Sequence, residues 1–506
     1  MVTVSEPRIG ASHLLHSWEN FPSRAAFGVV GVLVLVASYV GVNALHPLGP
    51  GVVLKGIVTG GLNSMVAMGL VLVYRSARII NFSQQVIGGV AATLVVLLVS
   101  SQGYPYLVAV AIGVAVAIFI GWFAELTIIQ RFATAPRLVL TAVTIGIYQL
   151  LGAAELGLPK LFTTSSNTTG IHAPFTLTFH LRPFTFTGDD VVALVVVPNV
   201  LIALYLFFAR TDYGVAIRGA ADFPERTRLL GIPVRHLSRI TWMVAAGLSG
   251  IGVILAAPKG IGGLTLGNVS TPATLLLPLA AAVLAGMDSF PMAVAWSVVL
   301  GVVNQAVFSI WQRASYEDVA QFIVIIIGLL VIRSRTTGVD EQGSGEFISV
   351  REIAGLPAHL AKLRGVQVAK GTWYTALLLG AVLIPLTFVQ SKQLLAANVA
   401  IYAVIGISIV VLTGWAGQIS LGQFAFVGVG AATSGALLVH QHVGFLVATL
   451  AAAAIGAVAA AVIGLPALRV PGLYLAVATL AFAVPVSSYL LSSSTFNSDL
   501  HPRVSH

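Results

Sequence analysis

The sequence predicts an all-α, polytopic integral membrane protein with about fifteen transmembrane helices in two related, parallel-oriented bundles. Three observations predict it. Of the 506 residues, 57% are hydrophobic and only 8% are charged, with a mean hydropathy of +0.96, a composition that a water-soluble fold cannot bury. Apolar runs of about 17 to 25 residues recur along the chain, each long enough to cross roughly 30 Å of hydrocarbon as a helix, and none alternates with the two-residue period of a barrel strand. Finally, a polar, glycine-containing segment near residue 80 is echoed near residue 420.

The runs fall near residues 26–46, 52–74, 84–100, 104–124, 138–156, 191–209, 238–257, 272–288, 291–311, 317–333, 372–390, 394–412, 419–439, 443–465 and 472–491. A tail of residues 1–25 precedes the first, and Val42-Asn43-Ala44 is only a faint cleavage pattern, so that span is expected to be retained. The loop from Arg210 to Arg239 carries Arg210, Arg218, Arg226, Arg228, Arg235 and Arg239 against three acids, which assigns it to the cytoplasm. Counting crossings from there places Arg131 and Arg137, Arg75 and Arg78, Arg333 and Arg335, and the N-terminus with Arg8 and Arg24 on the same side. The stretch from Thr163 to Thr178, which has no Asp, Glu, Lys or Arg, falls outside. Residues 334–371 are charged, contain Gly343-Ser344-Gly345, and read as a cytoplasmic linker between a first membrane domain (26–333) and a second (372–506). A multi-pass protein of a bacterial plasma membrane with a cytoplasmic N-terminus is the expectation.

The echo is specific. Ile80 matches Ile419 and Gln84 matches Gln423 at an offset of 339, and Ala91-Ala92-Thr93 matches Ala431-Ala432-Thr433 at 340. Upstream, MVAMGLVLVY (65–74) follows the pattern of AVIGISIVVLT (403–413). An even number of spans separates the copies, so both cross in the same direction, as in a parallel duplication. Likeness by composition alone is the competing explanation, and the shared polar positions beside the glycines weigh against it. Glycines let helices approach closely, and breaks expose backbone where a segment lines a cavity. Asn81, Ser83, Gln84, Gln418, Ser420 and Gln423 therefore either bond between helices, line a path or meet a polar solute, and Asn304 beside Gln305 is a further candidate for the path.

The cytoplasmic loop YGVAIRGAADFPERTRLLGIPVRHLSRITW (213–242) has internal structure. Val215 to Leu230 reads as a short helix restarted near Pro224, with Asp222 placed to cap the second turn, Gly231 as the residue just past the helix end and Pro233 preventing continuation. It serves either as a solvated loop that fixes topology or as a docking element whose small residues, among them Ala220 and Ala221, admit another protein's backbone.

Other chemistries lack residues. There is no cysteine, which excludes disulfides and thiolate sites. No Asp, Glu, Lys or Arg occurs between Gln393 and Leu468, and Glu125, Glu155 and Asp288 lie near span ends, so an ion-coupled carrier has no evident coupling residue. There is no GxxxxGK[ST] phosphate loop and no serine triad, and His440 and His442 read as a loop, not a metal site. The net charge of +9 is accounted for by the loops between spans, so nucleic acid is not an expected partner.

Four stretches carry a resemblance. GLVLVYRSARIINFSQ (69–84) is similar to the signature of the first permease subunit of branched-chain amino-acid ABC importers. VLTGWAGQISLGQFAFVGVGA (411–431) and LRVPGLYLAVATLAFA (468–483) resemble the second subunit, and the segment ending in Leu230-Gly231-Ile232 resembles the coupling loop of such permeases. The resemblance implies a fusion of the first subunit with the N-terminal part of the second, an expected non-enzyme that forms a translocation path. It implies Arg218, Ala220, Ala221, Glu225, Leu230 and Gly231 as the coupling positions of a loop at 213–240. It implies as partners cytoplasmic ATP-binding subunits, which would hold the ATP so that this chain needs no cofactor or metal of its own, an extracytoplasmic solute-binding protein and membrane lipid. Branched-chain or other hydrophobic amino acids are the implied cargo, with urea or amides, or an ion-coupled carrier of small polar solutes, as the alternatives. Gln85 departs from the glycine usual in the signature, and no second coupling segment follows residue 470, so the second half reads as cut short: either the sequence is truncated or a separate chain completes that half.

Overall fold

A computed structural model describes residues 49–133, 135, 137–162, 171–222, 224–259, 272–336, 363–387, 389–416, 418, 420–467 and 473–491. The expected first span, the N-terminal tail and most of the linker lie outside the described residues. The chain divides into two compact units, Met1–Ile332 with Val484–His506, and Arg333–Ala483.

In the first unit, α1 (Pro50–Ala77) starts on a proline at its first position, where the missing N–H costs nothing, and ends where Arg78 turns left-handed at φ 55°. It is the central helix: 89% of its apolar window is buried inside the protein, against 28% for α3 (Tyr106–Thr127) and 22% for α5 (Gly188–Arg210). Helices with so little protein cover and such apolar surfaces have lipid as their complement. α10 (Phe290–Trp311) packs along α1 through glycines on both helices. Gly56 meets Val302, and Gly60 faces Ser297, Val298 and Gly301, where a Cβ on Gly60 would lie 2.6 Å from the Val298 Cα. α8 (Val234–Ala256) packs against α1, α3 and α2 (Gln84–Ser100), with its Trp242 fully buried.

α4 (Arg137–Leu161), α9 (Pro272–Leu284) and α11 (Ala314–Thr336) complete the apolar helices of this unit, and two short helices, α6 (Asp212–Asp222) and α7 (Pro224–Leu229), join α5 to α8. At the opposite end from those two lies a small hairpin, β1 (Phe179–Leu181) and β2 (Phe184–Phe186), pairing Phe179 with Phe186. Beside it the Lys55 Nζ lies 3.0 Å from the buried Asp190 carboxylate, and Asp190 also closes a capping box with Thr187 at the start of α5. These bonds tie the start of α1 to the start of α5.

The second unit holds α12 (Arg364–Thr387), α13 (Gln390–Val410) continuing into a π turn at Val411–Trp415, α14 (Gln423–His440), α15 (Phe445–Ala467) and α16 (Leu473–Pro485). α14 and α15 pack against one another.

Fourteen of the expected runs fall on described helices. By length and composition, eight described helices are apolar enough to cross a membrane, and four more are apolar but shorter: Gln84–Ser100, Ala273–Leu284, Gln423–Val439 and Leu475–Leu490. The fold class is therefore a polytopic helical membrane protein. Among the boundaries that differ from expectation, three have evident causes. The run at 272–288 stops at Leu284, because Gly286 and Met287 take positive φ values of 71° and 55°. The run at 419–439 becomes helical only at Gln423, after an irregular Ser420-Leu421-Gly422. α12 begins at Arg364, inside the expected linker, since Arg364 and Lys370 extend the helix past its apolar part without breaking it.

Candidate functional site

The polar segment of the first unit is a helix break. After Arg78 the backbone runs irregularly to Ser83, and α2 begins at Gln84. Asn81 Oδ1 accepts from the Ser83 N–H (3.1 Å) and from its hydroxyl (2.6 Å), and Asn81 Nδ2 donates to Gln84 Oε1 (3.0 Å). The Gln84 amide passes against Gly69 of α1 and donates to the Ala245 carbonyl of α8 at 2.7 Å, while the Ser249 hydroxyl of α8 donates back to the Gln84 carbonyl. Asn81, Ser83 and Gln84 are fully buried. Their polar groups are consumed inside the unit, so the amides hold the broken helix against α8 and α1. Gln85, the departure from the signature, is also buried, and its Oε1 has no hydrogen-bond partner among the described residues.

The second unit has the same device with different packing. α13 ends in its π turn, the Gln418 N–H donates to the Leu412 carbonyl (3.1 Å), and α14 begins at Gln423. Gln423 Nε2 donates to the Ser408 hydroxyl at 2.8 Å, and Ser408 donates to Ile405 O at 2.7 Å. Gln418, Ser420 and Gln423 are half-buried. Asn304 belongs to neither break. It sits on α10 beyond Val302, which meets Gly56 in the first half of α1, and its buried Oδ1 lacks a hydrogen-bond partner among the described residues. The structure thus brings Asn81, Ser83 and Gln84 into one network and leaves Asn304 at the far end of α1. Ala245, Ser249 and Ser408 went unnoticed in the sequence, because single small residues in an apolar helix carry no local signal.

The short helices α6 and α7 form the second candidate element. Gly231 N–H bonds to Arg228 O (3.0 Å) and Ile232 N–H to Thr227 O (3.3 Å), a Schellman closure that needs the left-handed Gly231 at φ 78°. α6 lays Ile217, Ala221 and, partly, Ala216 and Ala220 on the core of its own unit, so its alanines serve internal packing. Tyr213, Val215 and Arg218 face outward, as does the end of α7, where Leu229 and Leu230 are 88% and 78% exposed beside a Gly231 with none of the described residues within 4 Å of where its Cβ would lie. The Glu225 side chain is outside the described residues. At the same end of the unit, the buried Glu125 of α3 accepts from Gln130 (2.9 Å) and lies 3.6 Å from Arg239 Nε, and Arg75 lies 3.6 Å from Asp288 and over the Phe290 ring. These pairs brace the helix ends on which α6 and α7 are mounted.

Comparison with known proteins covers the stretches that contain both elements. The family described as branched-chain amino acid transport system, permease component, matches residues 52–329 and 393–497. The chain is 26% identical over 312 residues to the probable branched-chain amino acid transport permease protein LivH of Methanocaldococcus jannaschii, covering 58% of this chain and 95% of that one. It is 25% identical over 303 residues to the high-affinity branched-chain amino acid transport system permease protein LivH of Escherichia coli K12, covering 56% and 94%. To the corresponding LivM protein of Salmonella typhimurium it is 30% identical over 146 residues, 29% of this chain and 34% of that relative. No solved structure matches. One polypeptide therefore joins a LivH-like stretch to a part similar to LivM, a fusion of permease components and not an enzyme. With two matched stretches that span most of its length, the chain belongs to the family of branched-chain amino acid transport system permease components.

Proposed function

We propose that this chain forms the translocation path of an ATP-driven importer of branched-chain amino acids and is coupled to separate ATP-hydrolysing subunits through residues 212–233. In this reading α6 and α7 face the cytoplasm, as the basic residues of the loop require. The hairpin and Asp189–Asp190 then face outward, where a solute-binding protein delivers its cargo. ATP is bound and hydrolysed by the partner chains, and their motion reaches the helices through the loop, with no bond in the substrate changed. The residues of the two breaks line or shape the path.

The observation that carries the coupling is the end of α7. Two adjacent leucines exposed at 88% and 78%, on a closure that a left-handed residue completes, are an apolar anchor that the described residues leave uncovered. The expected partner surface is a groove that accepts two leucines and is rimmed by acids complementary to Arg218. The test is co-purification of the full chain with the ATPases encoded beside it. L229D/L230D is expected to release the ATPases while the chain still accumulates in membranes. Undiminished association together with undiminished ATP-dependent uptake would overturn the assignment.

A further inference from the structure

Each helix break is closed by a threonine from a later helix of its own unit. Thr144 of α4 is fully buried, and its hydroxyl accepts the Phe82 N–H at 3.2 Å while facing the carbonyls of Ile80 (3.2 Å) and Thr141 (2.8 Å). Thr479 of α16 is buried as well, and its hydroxyl accepts the Leu421 N–H at 3.0 Å while donating to Ala476 O at 2.9 Å. Phe82 and Leu421 each stand two residues before the glutamine that opens the next helix, at the same offset of 339 that relates Gln84 to Gln423.

The threonines are themselves a repeat. PRLVLTAVT (136–144) and PGLYLAVAT (471–479) share proline, two leucines and the final threonine at one offset of 335. A further pair obeys the break's own offset: the amide of Gln84 lies against Gly69, and that of Gln423 donates to Ser408, 339 positions later. Two compact units thus repeat the same bond between corresponding residues, which similar composition would not produce.

The chemistry explains why threonine suits the position. An N–H just ahead of a helix start has no carbonyl four residues back, and hydrocarbon offers it no water. A hydroxyl can accept that N–H and still give its own proton to a carbonyl of its own helix. Valine matches the shape but does neither, whereas serine does both. In the second unit the fit is tight enough that a Cβ on Gly422 would lie 2.9 Å from the Thr479 carbonyl carbon.

We propose that Thr144 and Thr479 are equivalent positioning residues, one in each permease half, whose hydroxyls latch the broken helices and thereby set the geometry of the path. The placing of that path at the breaks rests on the functional reading above, so the first measurement does not use transport. The chain has no cysteine, so Val86→Cys and Ala425→Cys, buried positions just past the two breaks and related by the same offset of 339, each supply a single reporter.

In membranes containing the full chain, labelling by a small thiol reagent is expected to rise at least about fivefold at Cys-substituted position 86 with T144V, and at position 425 with T479V, and to stay within about twofold with T144S or T479S. In uptake of radiolabelled leucine, normalised to chain in the membrane, each valine variant of the cysteine-free chain is expected to lower the maximal rate about tenfold with KM within about twofold, and serine to restore it. If a valine chain fails to accumulate, T144A and T479A are compared with the serine variants in the same way. Labelling unchanged by valine, or serine and valine equally damaging, would overturn the latch. Absence of leucine uptake by the unaltered chain would count against the importer reading alone, with labelling still deciding the latch.

Discussion

At the residue scale the decisive feature is the amide of Gln84, which joins three helices from a buried position. It accepts from Asn81, donates to the Ala245 carbonyl and rests on Gly69. Removing it takes away the acceptor of the buried Asn81 amide and the second, side-chain bond of the Ala245 carbonyl, which keeps its helical bond; an unmet buried amide costs about 1–3 kcal/mol where no water can replace the bond. Q84L is therefore expected to lower the thermal midpoint of the purified chain in detergent by several degrees, and S83A, which removes one local donor, by clearly less. Equal midpoints for the two variants would contradict the network. The polar character of this segment was legible in the sequence, because Asn81, Ser83 and Gln84 stand out in an apolar run. Where the amides point was not. Residues on a helix apolar on all sides have no periodicity to separate a face toward a path from a face toward another helix, and Ala245 lies 161 positions away. Thr144 was invisible for the same reason, since threonine is common in apolar helices and its partner Phe82 lies 62 positions away.

At the scale of elements, small residues decide how near the helices come. Along the α1–α10 seam, Gly56, Gly60 and Gly301 bring the two backbones into direct contact. A Cβ on Gly301 would lie 2.7 Å from the Gly60 Cα, with no flexible side chain to give way. G60V is expected to separate α1 from α10 and reduce chain in the membrane severalfold. G247A, whose added Cβ meets only the side chain of Ile118 at 3.2 Å, is expected to accumulate nearly normally. Immunoblotting of isolated membranes checks both, and normal accumulation of G60V would contradict the seam. The short helices α6 and α7 show what sequence reading does well at this scale. The restart at Pro224 and the stop at Gly231 were legible from the chemistry of proline and glycine. The sequence alone does not say which surface Ala220 and Ala221 meet, because small residues serve a helix's own packing as readily as another protein's approach. Here they lie on the core beside Ile217.

At the scale of the whole molecule, one chain carries two permease units that each contain a helix broken before a glutamine, and the family matches both stretches. The duplication was legible because glycines and glutamines in an apolar background give a pattern that drift in the aliphatic residues does not erase. The exact helix ends were not, because a uniformly apolar run marks where a helix can cross and not where Gly286 or Gly422 interrupts it. Under the proposed function, the exposed Leu229 and Leu230 couple ATP hydrolysis by partner chains to passage of a branched-chain amino acid. The most direct measurement is leucine accumulation in sealed vesicles containing the full chain, its binding protein and the neighbouring ATPases, with and without ATP, for the unaltered chain and for L229D/L230D. The account predicts accumulation that requires ATP and falls at least about tenfold in the variant. Accumulation independent of ATP, driven instead by an ion gradient and unaffected by the substitution, would contradict it.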